Sequence, residues 1–260
     1  MSLPVDIPRK DAPYAAFAAA LVRRYGPHGS FWQTHSPALP IRMWQIWNEP
    51  NIIFFWPPQP FEPRYIGLLR ATRAAIKHAD PGAKIVLAGL PNYSWLHMAL
   101  LYKLGARKLF DIVAIHPYTR DPAGVITILQ KNRQVMDANG DRNKPIVADE
   151  ISWPSSLGQT DHNVGLDFAT TEAGQARNLG RLMPMLAAQR KSLHLLGFYY
   201  YTWAGSEVHN GLAFDFAGLL KFKHGKFTAK PAFYVFRHDA LALEHCRQKG
   251  PVATSCIKPG

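Results

Sequence analysis

Apolar residues along this chain alternate between two patterns. Short, nearly continuous apolar runs recur at "RMWQIW" (42–47), "KIVLAGL" (84–90), "DIVAIHPY" (111–118), "KPIVADEISW" (144–153) and "LHLLGFYYYTWAG" (193–205). Longer stretches between them place apolar residues every three or four positions. The first pattern predicts strands covered on both faces and the second predicts amphipathic helices, so the chain reads as parallel β/α units. "DAPYAAFAAALVRRYG" carries helix signals in order: Asp11 as N-cap, Pro13 in the first turn, Arg23 and Arg24 in the last turn, Gly26 beyond. In "PFEPRYIGLLRATRAAIKHADPGAK", Tyr65, Leu68, Leu69, Thr72 and Ile76 fall on one helical face, and "DPG" stops the helix. "SWLHMALLYKLGARKLF", "GVITILQKNRQVMDANG" and "TTEAGQARNLGRLMPMLAAQR" supply the remaining helices.

Each predicted strand ends in chemically useful groups. The ends are Asn48-Glu49, Pro91-Asn92-Tyr93, His116-Pro117-Tyr118, Asp149-Glu150 and Tyr201-Thr202-Trp203. In a parallel sheet these ends share one side, where barrel enzymes assemble their active sites. A polar end on one strand is unremarkable, whereas five in succession point to a site. Glu49 and Glu150 stand 150 − 49 = 101 residues apart. Two strand-end carboxylates are the minimum equipment for glycoside hydrolysis: one protonates the leaving oxygen, the other attacks the anomeric carbon or activates water. Asp149 precedes Glu150, but strand alternation sends the two side chains to opposite faces, so only one of them can serve.

Composition narrows the field. The chain has 260 residues, 47% hydrophobic, enough for a sizeable core, with one expected catalytic domain over 1–243 and a tail over 244–260. The formal net charge of +12 permits attraction to anionic partners. The basic residues are nevertheless scattered, without a run longer than two or a nucleic-acid motif, so no nucleic-acid partner is expected. No apolar stretch approaches the length of a membrane span. "MSLPVDIPRKDAPY" has no signal-peptide core, so either the protein is cytoplasmic or these residues are not its native start, in which case export of the full-length form is expected. Cys246 and Cys256 either form a disulfide in an oxidising compartment or remain two free thiols. His97, His162, His194 and His209 show no metal-ligand spacing, and no HExxH, G-x-S-x-G or GxGxxG occurs, so neither a metal nor any other cofactor is expected.

"WQIWNEPN", followed a hundred residues later by "PIVADEISWPS", resembles clan A glycoside hydrolases, most nearly families five and thirty-nine. "AIHPY" and "YYYTWAG" resemble two further strand ends of that clan, and the likeness runs over about residues 10 to 240. The resemblance implies a TIM (β/α)8-type barrel with Glu49 as acid/base and Glu150 as nucleophile. It implies that Asn48 bonds the sugar 2-OH, that His116 and Tyr118 lie near the nucleophile, and that Trp203 forms a stacking floor. A phenol at Tyr118 can donate to a carboxylate and steady its charge. Trp153 and Trp56 follow the two glutamates and suit either subsite platforms or loop packing. A complete barrel takes about 250 residues, and the resemblance makes 42–47 the fourth strand, so an incomplete barrel lacking about the first three strands is expected. The implied function is retaining hydrolysis of a β-linked oligosaccharide or polysaccharide. A degenerate, non-catalytic carbohydrate-binding barrel and a transglycosylase using the same glutamates are the alternatives.

Overall fold

A computed structural model describes residues 7–161, 167–208, 210–249 and 252–256; His162 and His209 lie outside them. The chain divides into two compact units, Met1–His116 with Lys131–Val147, and Pro117–Gln130 with Ala148–Gly260. Strand–helix alternation is as the periodicity predicts. The elements in order are α1 (Asp11–Tyr25), β1 (Met43–Gln45), α2 (Glu62–Ala79), β2 (Lys84–Val86), β3 (Leu90–Pro91), α3 (Ser94–Lys103), β4 (Val113–His116), α4 (Pro122–Ala138) and β5 (Ile146–Ile151). There follow α5 (Glu172–Leu193), β6 (Leu195–Tyr200), β7 (Ala204–Gly205), β8 (Leu220–Lys223), β9 (Lys226–Ala229), α6 (Pro231–Leu243), β10 (Arg247–Lys249) and β11 (Val252–Ser255). Among the described residues, no helix is long and apolar enough to cross a membrane.

In the first unit, β1 pairs in parallel with β2 and β3 with β4. The stretch 84–90 is therefore not one strand. Its pairing with β1 runs through Gln45↔Val86, breaks, and resumes at the Asn48↔Gly89 bridge. The offset is unchanged across the break, 86 − 45 = 41 and 89 − 48 = 41. Between the two points the Tyr65 hydroxyl, from α2, donates to the Ile46 carbonyl (2.8 Å) and accepts from the Ala88 amide (2.9 Å). A fully buried phenol thus satisfies two backbone groups that the splayed strands no longer offer each other. Leu68, Leu69, Ile76, Ile85, Leu87 and Leu90 are fully buried in the same unit, each contributing about 1.5–3 kcal/mol through lost apolar exposure. Asp11 is the first helical residue of α1 rather than its cap, which is Lys10. Its carboxylate is engaged elsewhere, in an ion pair with Arg64 on α2.

The second unit begins its long helix at Thr171, whose side chain accepts from the Gly174 amide (3.1 Å). Leu179 and Met183 of α5 pack with Leu219 and Ala232, flanked by Phe198 and Phe236. β6 joins the end of β5 through the Tyr201 amide and the Ile151 carbonyl (3.0 Å). Beyond the predicted strands lies an antiparallel hairpin, β8–β9, closed by His224 (φ 50°) and Gly225 (φ 74°). Positive φ at both loop positions matches the twist of a two-residue hairpin turn. A disulfide joins Cys246 to Cys256 around the β10–β11 pair, settling the thiol alternative.

Candidate active site

In the first unit, the candidate residues stand at the end of β1. Trp47 (φ 72°) and Glu49 (φ 44°) both adopt left-handed backbone, on either side of Asn48. For residues other than glycine such conformations cost about 1–3 kcal/mol each and persist only where surroundings impose them. Here the surroundings are explicit. The Glu49 amide donates to the Gly89 carbonyl (3.1 Å), the Glu49 carbonyl accepts from Ile52 (2.9 Å), and the Trp47 indole donates to the Phe55 carbonyl (3.1 Å). Asn51 ties the same turn to the Pro91 carbonyl (3.3 Å). The strand stops because the chain is wound tightly at this point, and the winding delivers one carboxylate.

That carboxylate meets a histidine. His116 closes β4, is 0% exposed, and its Nδ1 lies 2.7 Å from Oε1 of Glu49, which is 8% exposed. An ionised Glu49 accepts this bond from Nδ1–H. His116 thus hydrogen-bonds the candidate acid/base directly. Gly89 makes room for the ring: a methyl group there would lie 1.9 Å from His116 Nε2. An isolated glycine inside the apolar run "KIVLAGL" is the sequence signal for such a close approach.

The second unit holds the other carboxylate. Glu150 is the penultimate residue of β5, and Oε2 accepts from the Tyr118 hydroxyl at 2.8 Å. Tyr118 is set by two rings that sequence reasoning missed. Phe168 stacks on it (5.3 Å, 18°) and Phe214 meets it edge-on (5.4 Å, 71°). The two candidate tryptophans differ sharply. Trp203 is 58% exposed and braced edge-on by Phe233 (5.8 Å), so it presents a ring face to solvent. Trp153 is 1% exposed and donates through its indole to the Thr119 carbonyl (2.8 Å). It offers no face to a ligand here, and Trp56 is likewise buried.

Each unit therefore presents a glutamate at a strand end with a hydrogen-bonding partner, an imidazole for Glu49 and a phenol for Glu150. The first partner can exchange a proton with its carboxylate, and the second donates to an anion without neutralising it. That asymmetry is what an acid/base and a nucleophile respectively need.

No protein-family model matches the chain, and no curated protein matches it. Solved structures do. A glucosidase from Croceicoccus marinus is similar over 91% of this chain and 47% of its own, with TM-score 0.65 and 16% identity. A GH39 enzyme from Xanthomonas axonopodis pv. citri is similar over 90% and 46%, with TM-score 0.62 and 17% identity. A monomeric beta-xylosidase from Caulobacter crescentus CB15 is similar over 87% and 46%, with TM-score 0.61 and 18% identity. The chain spans about half the length of the solved structures it matches. Its fold is α/β of the TIM-barrel type, shared in part with solved glycoside hydrolases.

Proposed function

We propose that the chain is the catalytic part of a glycoside hydrolase that cleaves a β-linked oligosaccharide or polysaccharide with retention of configuration. In this reading residues 1–243 form one catalytic domain and 244–260 its tail. Glu150 attacks the anomeric carbon while Glu49 gives its proton to the departing glycosidic oxygen. Water then attacks the same carbon, Glu49 takes its proton, and the bond to Glu150 breaks. Asn48 bonds the sugar 2-OH, Trp203 stacks beneath the ring, and His116 and Tyr118 set the two carboxylates. Trp153 supports the loop after the nucleophile. The observation that carries the reading is the pairing of each strand-end glutamate with a partner suited to its role. Sharing a fold with known glycosidases supports it. The Cys246–Cys256 disulfide supports export to an oxidising compartment.

Turnover of a panel of nitrophenyl β-glycosides by the wild type, Glu49→Ala and Glu150→Ala tests the assignment. Loss of turnover in both variants is expected, and undiminished turnover in either removes that residue from the mechanism. Sugar binding without turnover by the wild type points instead to a degenerate carbohydrate-binding barrel. Mixed oligosaccharide products identify transfer to a sugar rather than to water.

A further inference from the structure

The chemistry proposed above leaves several buried charged groups of the described residues unused, Lys230 among them. Lys230, just before α6, is fully buried. Its Nζ donates to Oγ of Ser155 (2.7 Å), to the carbonyl of Phe216 (2.8 Å) and to Oε1 of Glu207 (3.1 Å). Glu207 is itself buried and held in left-handed backbone, φ 48°. Burial pushes the Lys230 amine below its ordinary pKa, with the Glu207 carboxylate opposing that push. Replacing a buried ion pair by apolar residues is often neutral or stabilising, so stability alone is a poor reason for keeping one.

The partners identify what the ammonium holds. Ser155 lies in the segment that leaves β5 five residues after Glu150, and Phe216 ends the short turn Ala213–Phe216. The Ser155 amide also donates to the Phe216 carbonyl (3.1 Å), and the Glu207 amide to the Asp215 carbonyl (3.1 Å). Gln175 fixes the next carbonyl, Ala217, at 3.1 Å. The turn is thus pinned by consecutive carbonyls, and it carries Phe214, the ring set edge-on against Tyr118 and also in contact with Phe168 and Tyr201.

We propose that Lys230 is a positioning residue for Glu150: its buried ammonium fixes the 213–217 turn and, through Phe214, the ring of Tyr118, keeping the phenol aimed at the carboxylate. The proposal rests on reading Glu150 as the nucleophile. A double-mutant cycle tests it, comparing wild type, Lys230→Met, Phe214→Ala, Tyr118→Phe and the combinations with Tyr118→Phe. Lys230→Met and Phe214→Ala should each lower kcat by about tenfold with KM within about threefold, and each should add less than about threefold to Tyr118→Phe. Losses that multiply fully with Tyr118→Phe overturn the proposal. Should Lys230→Met fail to fold, Phe214→Ala still breaks the proposed link without removing the ion pair. The ring resonances of carbon-13-labelled Tyr118 give a readout that needs no turnover: they should shift in both single variants, and their staying unmoved overturns the proposal. A wild type without turnover counts against the glycosidase reading alone, and the Tyr118 resonances then decide the positioning role.

Discussion

Gly89→Ala isolates the contact that places His116. The added methyl would lie 1.9 Å from Nε2, 2.5 Å from Cδ2 and 2.7 Å from Cε1, whereas such contacts essentially never fall below 3.0 Å. Three ring atoms are hit at once, so a small tilt does not relieve the overlap. The ring has nowhere to retreat, being fully buried and bonded to Glu49 at 2.7 Å. Nor is the backbone free to yield, because Gly89 bridges Asn48 and its carbonyl holds the Glu49 amide. Overpacking of this kind costs about 1–3 kcal/mol, and displacing a hydrogen bond to a charged group costs about 1.5–3 kcal/mol. Denaturant unfolding of Gly89→Ala should therefore lose about 2.5–6 kcal/mol. The imidazole nitrogen shifts of His116, read by long-range proton–nitrogen correlation, should report a broken Glu49 bond. An unchanged unfolding midpoint together with unchanged His116 shifts would refute the packing argument.

Three other perturbations test separate parts of the chain. Trp203→Ala should raise KM for oligosaccharides about three- to tenfold with little change in kcat, and a change confined to kcat would deny the ring its stacking role. Asp141 is pushed up by burial but held below its ordinary pKa by bonds from Lys144, Tyr102 and Arg107. Its contribution is therefore present above the unfolded value near 3.8 and lost as pH falls through the lower folded one. Between about pH 5 and about pH 2, Asp141→Asn should lose less unfolding free energy than the wild type, and parallel pH profiles would contradict the assignment. The disulfide spans 10 residues, so Cys256→Ser should speed amide exchange across 247–249 and 252–255 by about thirtyfold, or about 2 kcal/mol. Protection surviving in that variant would show that the β10–β11 ladder holds itself.

Helix positions were legible because their signals are local. Tyr65, Leu68, Leu69, Thr72 and Ile76, spaced for one face, are all buried in α2. α3 ends earlier than its apolar content suggests, at Lys103, with Gly105 in left-handed backbone (φ 84°). The run 84–90 read as one strand because composition does not reveal that a side chain from α2 interrupts the ladder. The glutamates and their partners were visible as residue types at strand ends. Which partner serves which acid was not, since His116 and Tyr118 lie two residues apart and hydrogen-bond with glutamates 101 residues apart. Phe168 and Phe214 carry no motif and acquire a role only through the rings they touch. The β8–β9 hairpin had a readable cue in "KHGK", two turn-forming residues between alternating strands, which the β/α rhythm masked.

Because the strands keep a constant offset across the Tyr65 hydroxyl, their separation and their alignment are set by different parts of the molecule. Ladder bonds between β1 and β2 fix alignment, while a helix outside the sheet fixes how far Ile46 stands from Ala88. Substitutions along α2 that slide Tyr65 by a fraction of an ångström can thus widen or narrow the rim beneath Trp47–Glu49 without shifting any residue to the wrong face. In a lineage or a directed-evolution campaign, the spacing of the strands that carry the acidic turn becomes a quantity adjustable from the exterior, while the turn itself stays untouched.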